Sequence, residues 1–437
     1  MRQPRPVLPS SAWWLLVISG IFALSIGLSN TFVNIYLWKV DRSYAPIAWY
    51  NLAVYCLMPI AFVAAGAVAK RTHPIVTIRL GVALHGVFYA VILAGGTALA
   101  KHPFVPGIFM GIAAGFYWLS FNWLSMLFTG EGTRDRFYGL NGVAGAVSGM
   151  IAPFAAGFLI AREDQFGGLS GYHVIFGLSL ALFAAATGVS LRLRRARVQA
   201  AAWEKTLDWR AALTSVREAR GWRLTLLGCA VYGLREGVFL FLIGLLFYVA
   251  TGSEMKLGEF LLLQSAVSFA SFFAMGRFVK AHNRLRWMGV GAAGMAAAAL
   301  LFTLPLSLLL VVSYGVAIAV FLPFFLVPLQ GAVFHQIGAL TPEKTDDVEH
   351  IIMREGFENL GRVVGIAAFL VVLSVDHSAR TIGWFAVALG FVQLGTFALL
   401  RFEGAARNLS RKPLTRSGRP QRSTSKTGRV SSHASRR

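Results

Sequence analysis

Apolar residues in this chain run in stretches of about twenty, separated by short polar or basic segments. At a rise of 1.5 Å per residue, such a stretch crosses the roughly 30 Å hydrocarbon core of a bilayer as one helix. The pattern predicts twelve spans, at 13–37, 47–68, 75–96, 104–128, 139–160, 172–191, 224–249, 257–279, 286–304, 306–330, 357–375 and 380–400. Little more than Pro305 separates the ninth from the tenth. The ten-residue alternation of a membrane β-barrel is absent.

The seventh span, Leu224 to Val249, departs from this apolar rule. It carries Gly233-Leu234-Arg235-Glu236-Gly237 near its middle. A charge at that depth costs at least about 2.5–3.5 kcal/mol on insertion scales, so such residues face a protein interior or a water-filled path. Neighbours on a helix point about 100° apart. Arg235 and Glu236 therefore need polar company on a broad face.

Composition supports the membrane reading. The chain has 437 residues, 56% hydrophobic and 14% charged, with mean hydropathy +0.62. The net charge of +22 does not indicate a nucleic-acid partner, because the basic residues lie in a tail from Gly404 and between the spans. Their distribution gives an orientation instead. Arg2, Arg5, Lys70, Arg71, Arg134, Arg136, the 192–223 cluster, Lys280, Arg284, Arg286, Lys344, Arg354 and the tail fall on one side, against only Lys39, Arg42, Lys101, Arg162, Lys256 and Arg380 on the other. The positive-inside bias makes both termini cytoplasmic. Arg2 and Arg5 precede an apolar run that reaches Trp38 without a small-residue cleavage site, so the first span is expected to be a retained helix and not a signal peptide. Cys56 and Cys229 both lie in apolar runs and have no metal-ligand spacing.

The expected domains are a six-helix half over 1–191, a linker over 192–223, a second six-helix half over 224–403, and a disordered basic tail over 404–437. In the linker, Asp208 is placed to cap a turn, and Trp209, Leu213 and Val216 recur on one face. A basic amphipathic helix of this kind lies along the inner membrane surface. The tail is expected to be drawn to anionic lipid, or to serve only solubility and topology.

Three weak matches relate the halves. Gly27-Leu28-Ser29-Asn30 aligns with Gly233-Leu234-Arg235-Glu236 at an offset of 206 residues, Gly66–Lys70 with Gly276–Lys280 at 210, and Gly111 with Gly315 at 204. Two six-helix halves, a long central loop and repeated short loops resemble the major facilitator superfamily. The loop after the second span is similar to that family's G-x-x-x-D-R-x-G-R signature in Gly66 and Arg71, but has Lys70 at the acidic position and His73 and Pro74 at the last Gly and Arg. Gly145, Gly149, Pro153 and Gly157 in the fifth span resemble the Gly/Pro-rich fifth helix of the family's antiporters. Where its proton-coupled drug exporters carry an Arg in the fourth helix, this chain has Gly107. The resemblance implies an all-α polytopic membrane protein of twelve transmembrane helices in two pseudo-symmetric six-helix halves. It implies a substrate site at mid-membrane between those halves.

Polar residues on the spans that would line that site are candidates for substrate binding: Asn30, Asn34, Tyr117, Trp118, Asn122, Arg235 and Gln264. Each has packing as its alternative. Tyr50 and Asn51 lie nearer the outer surface, and His85 reads as a packing residue. Glu236 is the candidate proton-coupling group, with Arg235 as its partner or as an anchor for a substrate anion. Asn30 and Asn34 are expected to face this pair. Asp135, Arg136, Arg354, Glu355, Glu358 and Arg362 are candidates for a cytoplasmic gate, in which opposite charges of the two halves pair when that side closes. Thr345-Asp346-Asp347-Val348-Glu349 reads as a solvated acidic loop.

There is no G-x-x-x-x-G-K-[ST] loop for a nucleotide-driven pump, and no catalytic constellation among nine scattered histidines. The expected activity is secondary transport of a small molecule by alternating access, coupled to protons and leaning to efflux. The expected protein is a monomer in the cytoplasmic membrane, with no enzyme activity, cofactor, metal or nucleic acid. An uptake permease and a transporter-like sensor acting through the tail are the alternatives. Topology is directly testable: reporters fused at Arg401 and in the 251–256 loop read inside and outside, respectively, and the same side for both overturns the orientation.

Overall fold

The computed structural model describes residues 8–129, 131–167, 169–193, 206–279, 282–340 and 347–410. Twelve helices are long and apolar enough to cross a membrane. In the first half these are α1 (Ser10–Asp41), α2 (Ala45–Arg71), α3 (Pro74–Ala100), α4 (Phe104–Phe128), α5 (Glu131–Ile160) and α6 (Gly171–Ser190). A short helix, α7 (Trp209–Glu218), lies in the linker. The second half contributes α8 (Arg220–Thr251), α9 (Glu254–Phe278), α10 (Arg284–Ala299), α11 (Leu308–Leu340), α12 (Asp347–Val375) and α13 (Ala379–Ser410). Among the described residues there is no strand, as expected where lipid offers no partner to an open sheet edge.

Local chemistry sets several boundaries. Pro46 and Pro74 stand in the first turns of α2 and α3, where a missing N–H is no loss. Ser170 and Ser253 accept from the N–H groups of His173 and Lys256 and so cap α6 and α9. Two boundaries differ from the hydropathy pattern. α11 runs ten residues past the expected end at 330, and the eleventh span begins near 348 instead of 357. The extension of α12 takes in Arg354 and Glu355, and Glu358, Asn359 and Arg362 follow them inside the expected span. At 1.5 Å per residue, Arg362 stands about 22 Å from the start of that helix, so these residues lie inside the bundle and not at its mouth.

α1 packs on α5 and α6, α2 on α4, and α3 on α4 and α6. In the second half α8 packs on α12 and α13, α10 on α11 and α13, and α9 on α11. The two sets meet along α5–α9 and α2–α12. Small residues make the close crossings. Gly107, Gly111 and Gly115 of α4 sit against the backbone of α2 at Tyr50, Val54 and Met58. A side chain at Gly107 would therefore collide with α2. Gly149 and Gly157 of α5 lie against Ser265 and the Glu254 carbonyl of α9, and the Ser265 hydroxyl donates to the Gly149 carbonyl at 2.8 Å.

Both faces of the bundle carry links between the two sets. On the face of the α1–α2 loop, Lys39 of α1 meets Glu254 of α9 at 2.9 Å, and the Tyr172 hydroxyl of α6 donates to the same carboxylate at 3.0 Å. Tyr44 packs edge-on to Phe369 of α12; burial holds its phenol above the usual tyrosine range, so it stays neutral. On the linker face, Lys70 of α2 is ion-paired to Glu349 of α12, both side chains almost wholly buried. Lys70 also donates to the Thr206 carbonyl at 3.1 Å, and the Asp208 N–H donates to Glu349 at 2.9 Å. Glu349 is thus no part of a solvated acidic loop. It is buried because a lysine stands where the resembled signature has an acid. Residues 345 and 346 lie outside the described residues, and so do 194–205 and the tail beyond 410.

Removing one member of a buried ion pair costs more than removing both. Lys70→Ala is expected to lower stability in a detergent unfolding assay by about 3–5 kcal/mol. The Lys70→Met, Glu349→Met double variant is expected to recover most of that loss.

Candidate functional site

A cavity of ≈ 1260 Å³ lies between the two sets of helices. Its inner end is bounded by Asn30 of α1 and by Tyr50 and Asn51 in the second turn of α2. Toward the linker face it runs past Met126, Tyr138 and Arg284 to His335, Gly338 and Ala339 near the end of α11, where these last three are exposed. The cavity therefore opens on the linker face and is shut on the other by the Lys39–Glu254–Tyr172 cluster.

One wall is a chain of charges. The Glu236 carboxylate of α8 accepts from Arg362 of α12, 2.8 Å from Nε and 2.5 Å from an Nη. Arg362 also meets Glu358 at 2.5 Å and donates to the Asn359 amide oxygen at 3.0 Å. Arg354 is ion-paired to Glu358 at 2.6 Å and also pairs with Glu355. Arg354, Glu355, Glu358 and Arg362 line the cavity, and their side chains are at most one-tenth exposed. The Arg362 guanidinium lies over the Tyr55 ring of α2, 5.1 Å from its centre, which carries the chain across to the first half. Glycines allow this approach. A Cβ at Gly233 or Gly237 would meet the backbone of α12 at Glu358 or Arg362, and one at Gly361 or Gly365 the backbone of α8 at Ala230 or Leu234.

The opposite wall is aromatic and neutral. Phe22 stacks on Tyr117 with centroids 3.4 Å apart and meets Trp118 edge-on at 5.9 Å. Trp118 is 41% exposed into this space, and Phe121 and Asn122 follow it along α4. His85 of α3 also reaches the cavity.

The sequence-based candidates separate accordingly. Asn30, Trp118 and Asn122 line the cavity. Asn34 is buried behind it; its amide donates to the Asn30 carbonyl, and its oxygen accepts from Asn51 at 3.0 Å. Tyr117 is wholly buried under Phe22. Gln264 bridges α9 to the Gly315 carbonyl of α11 at 3.2 Å. Arg235 is not the partner of Glu236. Its guanidinium lies over Phe239 and donates to the Tyr314 hydroxyl at 3.0 Å, because the helical turn from 235 to 236 aims the two side chains at different neighbours. The expected facing of Asn34 and Arg235 across the cavity therefore does not occur. Arg354, Glu355, Glu358 and Arg362 pair with one another within their own half. The side chains of Asp135 and Arg136 lie outside the described residues.

Sequence reasoning passed over Tyr50, Asn51, His85, Arg284 and His335. The first two stand only one to two turns from a helix end, and nothing local shows that the cavity reaches so far. Among the described residues no cluster of His, Cys, Asp or Glu is built to hold a metal ion.

No family model matches the chain. It is 37% identical over 366 residues to the uncharacterized protein YqgE of Bacillus subtilis, covering 83% of this chain and 82% of that protein. It is 43% identical over 162 residues to an uncharacterized protein in the sodM 3′ region of Geobacillus stearothermophilus, covering 37% of this chain and 74% of the relative. Among solved structures, the fucose:proton symporter FucP of E. coli superposes with TM-score 0.62 at 13% identity, over 90% of this chain and 98% of that one. A bacterial homologue of the iron transporter ferroportin, in an outward-facing state, gives 0.63 at 13%, over 91% and 100%. The nucleoside transporter NupG gives 0.61 at 14%, over 91% and 99%. The chain belongs to the same family as Bacillus subtilis YqgE, and its fold is that of the major facilitator superfamily.

Proposed function

We propose that this protein is a secondary transporter that moves a small solute across the cytoplasmic membrane by alternating access, coupled to protons through the charge chain on α8 and α12. The observation that carries this reading is the chain itself, in which three carboxylates (Glu236, Glu358 and Glu355) face two guanidiniums (Arg362 and Arg354), with Glu236 set behind the cavity wall and joined to it through Arg362. A charge held in contact outweighs one farther off in a low-dielectric site. Arg235, turned to Tyr314, is out of ion-pair contact. One carboxylate is therefore unmatched within the chain, and a bound proton neutralises it while the site is closed off from water. When the cavity opens on the linker face, that proton has a path to leave. The basic residues make this face cytoplasmic.

The titrating group is assigned to Glu236, which has Arg362 as its ion-pair partner. Glu358 is shared between two arginines. The fold of FucP, named as a fucose:proton symporter, is compatible with such coupling. The substrate is a small organic solute that fits the aromatic cavity. Net direction is read in the assay that follows.

In proteoliposomes with an entrapped pH dye, a transported solute is expected to move protons in the wild type. Glu236→Gln, which keeps size and hydrogen bonding, is expected to abolish proton movement while leaving solute exchange. Proton movement that persists in this variant overturns the assignment. Arg362→Ala strands the buried Glu236 carboxylate and is expected to cost about 3–5 kcal/mol of stability, read as a lowered unfolding midpoint in detergent.

A further inference from the structure

Formal charge is divided unevenly around the cavity. Among the described residues, every Asp, Glu, Lys or Arg on its wall belongs to α10 or α12: Arg284, Arg354, Glu355, Glu358 and Arg362. The wall supplied by α1–α4 has none, yet it is polar, with Asn30, Tyr50, Asn51, His85, Trp118 and Asn122.

Two of these neutral groups stand out: Tyr50, whose hydroxyl the protein leaves unpartnered, and His85, whose tautomer is fixed. Tyr50 is 2% exposed, and its hydroxyl has no partner. A buried hydroxyl without a partner is destabilising, so its retention at a cavity wall points to a ligand that completes it. His85 is 1% exposed, and its Nδ1 is 2.7 Å from the Gly81 carbonyl oxygen. A carbonyl only accepts, so Nδ1 carries the proton and Nε2 is left as an acceptor. Tyr50 thus offers a donor and His85 an acceptor; the Asn30 amide offers both, and Asn51, whose amide nitrogen donates to Asn34 and to the Ile47 carbonyl, offers its oxygen. Trp118, 41% exposed, adds an indole beside them.

Such a wall suits hydroxyl groups, which donate and accept at once, and a ring that lies on an aromatic face. It does not suit an ion, because no group of opposite charge stands on it. The carboxylates across the cavity are already engaged by arginines. We infer that the α1–α4 wall is the subsite for a neutral, polyhydroxylated ring compound. Its hydroxyls are read by Tyr50, His85, Asn30 and Asn51, and its ring lies on Trp118. The inference rests on the transporter reading above and names its substrate class. An organic cation, drawn to Glu355 and Glu358, is the competing occupant.

The test is thermal unfolding of the purified full-length protein in detergent, with D-galactose, uridine or tetraphenylphosphonium as probe. D-galactose or uridine is expected to raise the midpoint in a concentration-dependent way, and tetraphenylphosphonium to leave it unchanged. Tyr50→Phe removes one orphan hydroxyl. Without probe its midpoint is expected to equal or exceed that of the wild type, whereas its apparent affinity for the neutral probe falls about tenfold, the loss of one hydrogen bond. His85→Phe keeps a ring in place but removes the acceptor, and is expected to weaken the same probe. Stabilisation by tetraphenylphosphonium alone, by no probe, or by a neutral probe equally in Tyr50→Phe and His85→Phe overturns the inference. Binding in detergent needs no gradient, so failure here is distinct from failure of proton movement in proteoliposomes.

Discussion

A guanidinium in the middle of a membrane protein has to be paired, and Arg362 is where this fold meets that demand. Its two carboxylate partners come from different helices, Glu236 on α8 and Glu358 on α12. Ion pairs at 2.5–2.8 Å across two helices require their backbones to come unusually close. Gly233 and Gly237 on one helix, and Gly361 and Gly365 on the other, provide that approach, each facing the partner's backbone. Four-residue spacing places both members of each glycine pair on one stripe. Packing and electrostatics therefore depend on the same residues. A larger side chain at any of the four positions would separate the helices and leave the charges apart.

The remaining charge pairs follow a different rule. Lys39–Glu254 and Lys70–Glu349 join helices of opposite halves, one pair on each face of the bundle. The first is accompanied by closure of that face. The second coexists with an open cavity mouth, so opening on the linker face leaves α2 and α12 in contact and lies toward Met126, Tyr138 and the end of α11. Lys70 matters doubly. It occupies an acidic position of a recognised signature, and its partner Glu349 supplies the acid from the other half.

The spans were legible because lipid imposes one simple rule, twenty apolar residues per crossing, and eleven of the twelve starts lie within four residues of the hydropathy reading. The exception, α12, is instructive. Arg354 and Glu355 look like surface to any scale that sums single residues, because such a scale charges each its full desolvation cost. Paired with one another they can be buried, and the helix runs on through them. Glu236 was visible as an isolated acid in an apolar run, but its partner lies 126 residues away and could not be chosen by proximity in sequence. Adjacency suggested Arg235, and the 100° turn per residue sends that side chain to Tyr314 instead. Tyr50 carries no sequence signal, since what sets it apart is a buried hydroxyl without a partner.

The proposed coupling has a further consequence in the placement of the charge chain. α8 and α12 belong to the same half and are held by four glycine contacts as well as ion pairs, so rocking one half against the other carries the chain as a unit. Glu236–Arg362, Glu358–Arg362 and Arg354–Glu355 do not break in that motion. What changes is the neutral wall facing them: the contact of Arg362 with Tyr55 crosses the boundary between halves, and so does the cavity that brings water to Glu355 and Glu358. Protonation then follows the chain's access to water and the surrounding dielectric, and not an exchange of partners. An apolar or neutral wall is suited to this role. It can approach the chain and exclude water without presenting a competing charge, which is the property the α1–α4 side of the cavity has.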